Sequence, residues 1–99
     1  MSSKTAAERG YLQRAAALGC ALCRHLGLGA TPAELHHPRE GTGMGRRAAH
    51  TDVIPLCPEH HRGRSGIHGL GRRAFERTYG VTERELVEAT RALVSASTY

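Results

Sequence analysis

Three cysteines and seven histidines among 99 residues hold most of the chemistry available to this chain. Cys20-x-x-Cys23 and Cys57-x-x-His60 are half-sites with the same two-residue gap, separated by residues 24–56. A gap of this size lets one turn of backbone aim both side chains at a single ion, and two such knuckles supply the four ligands of a closed tetrahedral zinc site. Buried apolar thiols or a redox pair would be the plainer reading. Zinc is favoured because it uses all three cysteines and one histidine without remainder. An odd number of cysteines also cannot pair completely within the chain, which suits a reducing, cytosolic setting better than a disulfide framework.

Removing His60 leaves His25, His36, His37, His50, His61 and His68. A lone histidine is usually a polar surface residue. Here, two His-His pairs bracket a Gly- and Arg-rich stretch, and the second pair is fused to a zinc knuckle, so that zinc would set the distance between the pairs. Imidazole holds borderline divalent ions, and with an unperturbed pKa of ~6.5 it also serves as a base at physiological pH. Arg39, Arg46, Arg47, Arg62 and Arg64 flank these pairs. Any one of them reads best as a solvated loop residue, but as a group they fit bidentate contacts to a phosphate backbone. His50 reads equally as a contact to nucleic acid or as a loop surface residue.

The net charge of +5 points the same way, towards a polyanionic partner and nucleic acid first. No aromatic cluster offers a base-stacking platform, so weak sequence preference and strong salt dependence are expected. One Phe, three Tyr and no Trp build a thin core, and a domain this small then needs a staple, here the metal. Glu8, Arg9, Gln13 and Arg14 interrupt any early apolar run, and no stretch approaches the eighteen or so apolar residues of a membrane span. A soluble cytosolic protein is expected.

The elements that must position these groups follow from spacing. Ser3 to Leu18 reads as a helix with Tyr11, Leu12, Ala15, Ala16 and Leu18 near one face, ended by Gly19. Gly27, Gly29 and Pro32 mark a loop. Ala33 to His37 and Thr51 to Leu56 read as the strands of a hairpin, joined by the connection Pro38 to Ala49. Pro58 suits the first turn of a short helix. Gly63 to Gly71 reads as a loop, and Arg72 to Tyr79 as a helix closed by Gly80. Thr82 and Glu85 form a capping box for a last helix, with Leu86, Val87, Thr90, Leu93 and Val94 as its buried stripe.

Glu34-Leu-His-His37, followed by Asp52-Val-Ile-Pro-Leu-Cys57-Pro-Glu-His-His61, resembles the HNH (ββα-metal) nuclease motif. The resemblance implies an α+β fold, a single domain over residues 1–99. Its zinc-stapled ββα-metal core would cover about 19–80, flanked by helices over about 4–18 and 82–96. It also implies that His36 is a metal ligand, His37 the general base and His61 the second ligand. His68 becomes a third ligand or a donor to substrate. Asp52 stands where the family has Asn; it could orient His37, although its charge would raise the pKa of the base or draw in the metal.

A longer match runs through Thr31-Pro-Ala-Glu-Leu-His-His37, Gly41 to Arg47, Ile54 to Gly63, Gly66-Ile-His-Gly-Leu-Gly71 and Phe75-x-x-x-Tyr79-Gly80. These segments resemble the phage Ref (recombination enhancement function) nucleases, which cut DNA where RecA has paired a strand into a duplex. The family's basic N-terminal segment finds no match in these residues. The resemblance implies a one-metal DNA endonuclease with a structural Zn²⁺ and a catalytic Mg²⁺, Mn²⁺ or Zn²⁺. Its partners would be DNA and the RecA filament. It would be a monomer of phage or prophage origin acting in the bacterial cytoplasm. The competing reading is a non-catalytic zinc module that binds nucleic acid or protein, and a third is an RNase. The second set of histidines separates catalysis from the bland module, since a structural zinc alone does not need it.

Overall fold

The computed structural model describes residues 4–38 and 51–96, so the connection expected over Pro38 to Ala49 falls almost wholly outside them. The first helix, α1, spans Ala6–Ala17 and starts later than expected, because Thr5 is the residue that can cap it. Thr5 Oγ1 accepts from the Glu8 amide at 3.1 Å, and Glu8 Oε1 accepts from the Thr5 amide at 2.8 Å. After Gly19, in the left-handed region at φ +83°, a short helix α2 (Ala21–His25) carries the first cysteine pair.

Strands β1 (Glu34–His36) and β2 (Ile54–Leu56) are shorter than the runs expected and pair antiparallel. Glu34 stands opposite Leu56, Leu35 opposite Pro55, and His36 opposite Ile54. A two-stranded sheet has only edges, so Pro55 is tolerated despite its missing N–H. Helix α3 (Pro58–Arg62) follows β2 directly, with Pro58 in its first turn as expected. The stretch expected to be a loop over Gly63 to Gly71 instead contains a one-turn helix, α4 (Ile67–Leu70). Its close return to α3 depends on glycine. A Cβ at Gly66 would meet the Glu59 and His60 backbone, and one at Gly69 would run into the Gly63 carbonyl. Helix α5 (Arg72–Tyr79) ends on Gly80 in the left-handed conformation, and α6 (Glu83–Ala96) completes the chain order.

The architecture is thus a small α+β fold in which helices cover a two-stranded sheet. One buried cluster joins Leu22, Ile54, Leu56, Ile67, Phe75, Leu86 and Val87 to the three cysteines. A second, of Ala15, Val53 and Val94, seats α1 against α6 and the start of β2. On α6, Leu86, Val87, Thr90 and Val94 are buried as expected, whereas Leu93 is 36% exposed and Glu83, at 3%, joins the buried face. Thr90 is accommodated because its hydroxyl donates to the Leu86 carbonyl at 2.8 Å. No helix among the described residues is long and apolar enough to cross a membrane.

The capping box at the start of α6 is present: Thr82 Oγ1 accepts from the Glu85 amide at 3.0 Å, and Glu85 Oε1 from the Thr82 amide at 2.9 Å. Thr82→Ala therefore removes one cap, at a cost of about 1 kcal/mol. In a chain of this size that lowers the melting temperature by about 4–8 °C, read by thermal circular dichroism.

Candidate metal centres and active site

Both half-sites use the same local device. Cys20 is the N-cap of α2 with Cys23 in its first turn, and Cys57 is the N-cap of α3 with His60 in its first turn. The two helix starts converge, so Cys20, Cys23, Cys57 and His60 form one cluster. His60 Nδ1 lies 3.7 Å from Cys20 Sγ, 3.5 Å from Cys23 Sγ and 3.4 Å from Cys57 Sγ. Cys23 Sγ and Cys57 Sγ are 3.9 Å apart. A tetrahedral zinc with bonds of about 2.3 Å to sulfur and about 2.0–2.1 Å to nitrogen has edges of about 3.8 Å (S–S) and about 3.6 Å (S–N). The donors are therefore spaced as that ion requires, and the cysteines are free thiols rather than disulfides. Burial pushes the Cys20 thiol up to about 11, so a thiolate in this pit calls for a cation to offset its charge.

A second cluster lies beside the first. The imidazoles of His36, His61 and His68 each offer a nitrogen within 4.8 Å of the others'. Their ring centroids are 5.2 Å apart for His36–His61 and for His36–His68, and 4.8 Å for His61–His68. His60 and His61 serve different clusters because consecutive helical residues point about 100° apart. The Cys57-x-x-His60 turn that places His60 thereby fixes His61. His36 ends β1 and is buried, and α4 supplies His68, which explains why an element is needed in the expected loop.

Two carboxylates meet these rings. Glu83 Oε2 accepts from His36 Nε2 at 2.7 Å, and both groups are buried. Glu34 Oε1 accepts from His61 Nδ1 at 2.7 Å and from Arg62 Nε at 2.7 Å, while Arg62 Nη2 reaches Glu34 Oε2 at 3.3 Å. The Arg62 and His61 donors hold the Glu34 carboxyl down at about 2. Sequence reasoning gave neither carboxylate a role. Glu83 did carry a signal, since it continues the helical spacing of Leu86, Val87, Thr90 and Val94 on the buried face of α6.

His37 follows His36 and is exposed, at the wall of a cleft of about 480 Å³. His36, His68, Glu83 and Arg72 also line that cleft, so the structure brings the His-His pair and His68 to one opening. Asp52 is held from α6. Its carboxylate accepts from Arg91 Nη2 at 2.7 Å and lies 4.0 Å from Arg84 Nη1, tying the approach to β2 to α6. Of the arginines expected at phosphates, Arg62 is engaged with Glu34 and Arg64 is exposed, whereas Arg39, Arg46 and Arg47 lie outside the described residues, as does His50. His25 has a structural contact, its Nε2 donating to the Tyr79 carbonyl at 3.2 Å.

No curated protein matches the chain. A family model does, over residues 4–95, under the description "Recombination enhancement, RecA-dependent nuclease". The match takes in both terminal helices as well as the metal-site segments, beyond the roughly Gly19 to Gly80 over which the resemblance is dense. With its metal-ligand clusters formed in space and all but a few terminal residues inside that match, the chain belongs to the Ref-like family of RecA-dependent recombination-enhancement nucleases.

Proposed function

We propose that this protein is a metal-dependent DNA endonuclease that hydrolyses phosphodiester bonds by one-metal HNH chemistry, on DNA that RecA has paired. The observation that carries the reading is the His36, His61 and His68 cluster, open to a cleft and held in place by a separate sulfur-rich cluster. The order β1, β2, α3, with His36 on the first strand and His61 on the helix, supports a ββα-metal core. Three neutral imidazoles suit Mn²⁺ or Zn²⁺, and a site with few protein ligands leaves room for the waters that Mg²⁺ retains. The Cys20, Cys23, Cys57 and His60 cluster is assigned a structural Zn²⁺.

When bound, a divalent ion at the imidazoles supplies charge neutralisation at the phosphoryl oxygen and at the departing 3′ oxygen. His37, beside the ligands but outside the cluster, takes the proton from the attacking water. His36 and His61 hold the ion, and His68 is the third ligand. Arg64 and Arg62 bind the DNA backbone, together with Arg39, Arg46 and Arg47. Asp52 occupies the place of the motif's Asn, and its contact with Arg91 supports a role in fixing the start of β2. The protein acts as a single-domain monomer in the bacterial cytoplasm where RecA works, and its source is a phage or prophage.

The test is cleavage of plasmid DNA with Mg²⁺ or Mn²⁺, with and without a homologous strand delivered by a RecA filament. Metal-dependent cutting stimulated by RecA pairing is expected. A zinc-loaded, folded protein inert in every arm would reduce the chain to a binding module, and cutting of RNA alone would make it an RNase. In the same assay Asp52→Asn retains cleavage. Its stability falls by up to about 1 kcal/mol, the usual worth of a surface ion pair, as a thermal melt would show.

A further inference from the structure

Glu83 is the one carboxylate on the buried stripe of α6, and at 3% exposure its charge is withdrawn from water and calls for a hydrogen-bonded partner. It is held on two sides. Its backbone amide donates to Glu76 Oε2 at 2.8 Å, and its side-chain Oε2 accepts from His36 Nε2 at 2.7 Å. The partners are 47 positions apart, on the last helix and the first strand. An imidazole whose Nε2 carries the proton has a free lone pair only on Nδ1.

We propose that Glu83 is a positioning residue for the divalent-metal centre: it fixes the tautomer and ring plane of His36 so that Nδ1 is the ligating nitrogen. The inference rests on the assignment of His36 as a ligand in the proposed function. Glu34 takes the complementary role at His61, occupying Nδ1 and leaving Nε2 for the ion. The two braces are unequal. Glu34 is 33% exposed and shares its charge with Arg62, so part of its field is already neutralised and part is screened by solvent. Glu83 is buried with His36, where a low local dielectric strengthens the hydrogen bond that orients the ring. The C-terminal helix therefore belongs to the metal centre as well as to the core.

The zinc-loaded protein is titrated with Mn²⁺ alone, free ion being followed by electron paramagnetic resonance, with zinc content and melting temperature recorded for every variant. Glu83→Ala is expected to weaken Mn²⁺ binding by about 10–100-fold with one zinc retained. Glu83→Gln keeps an acceptor oxygen without the charge, so its affinity falls between the two. A structural role alone would lower the melting temperature and leave Mn²⁺ affinity untouched. Wild-type affinity in Glu83→Gln and Glu83→Ala, against a loss in His36→Ala, overturns the proposal while the ligand assignment stands. Wild-type affinity in His36→Ala overturns the ligand assignment itself. If Glu83→Ala does not fold, Glu83→Gln decides, and an unchanged Mn²⁺ affinity there also overturns the proposal.

Discussion

His37→Ala lowers the rate of DNA cleavage by about 10²–10⁴-fold, the usual worth of a positioned general base. The zinc content and the divalent-ion affinity stay at wild-type values. The separation of these effects follows from where the two rings lie at the end of β1. His36 ends the strand and is buried with the other imidazoles, whereas His37, just past the strand, is exposed at the wall of the cleft. His37 is not one of the three residues whose donor nitrogens cluster, so deleting its ring removes a proton acceptor and no ligand. Single-turnover cleavage at saturating Mn²⁺, beside a Mn²⁺ titration, reads the two quantities independently. A variant that cuts at the wild-type rate would place the base elsewhere. A variant that loses Mn²⁺ would make His37 a ligand and leave the division of labour in the pair wrong.

Cys57→Ala abolishes the cooperative thermal transition and releases zinc. Apparent binding free energies of structural zinc run to about 10–16 kcal/mol in small zinc-dependent folds, whereas a whole domain is stable by about 5–15 kcal/mol. With one Phe and no Trp, this chain has little else to draw on. Position matters as much as magnitude. Cys57 caps α3 at the point where β2 passes into it, so losing its bond frees His60 and, on the same turn, His61. The variant should therefore also fail to bind Mn²⁺, although none of the three imidazoles of that cluster has been changed. Circular dichroism, zinc analysis and Mn²⁺ titration of the variant, beside a chelator-treated wild type, check the chain of events. A Cys57→Ala protein with wild-type melting and a full zinc complement would remove the staple from the account.

Local spacing was enough for part of this picture. Two ligands two residues apart must share one turn, so Cys20 with Cys23 and Cys57 with His60 were legible as half-sites without any knowledge of the fold. The adjacency of His60 and His61 likewise showed that whatever holds His60 also positions His61. The capping box at Thr82 and the glycine closing α5 are read from the same range of a few residues. The helix bearing His68 escaped notice because four residues set within a glycine-rich stretch carry too little periodicity to signal a turn, and its geometry is set by close approach to α3.

Only the tertiary structure decided which polar groups meet across the chain. Arg91 reaches Asp52 from 39 positions away and Glu83 reaches His36 from 47, distances over which no spacing rule operates. A residue such as Glu83, on the apolar face of its helix, shows in the sequence only as a break in a stripe; its partner is set by how α6 packs against the sheet. The sequence by itself thus determined the donor atoms and the pairs that share a turn, because backbone geometry is local. The structure alone decided which carboxylates meet His36 and His61, because packing brings distant segments together.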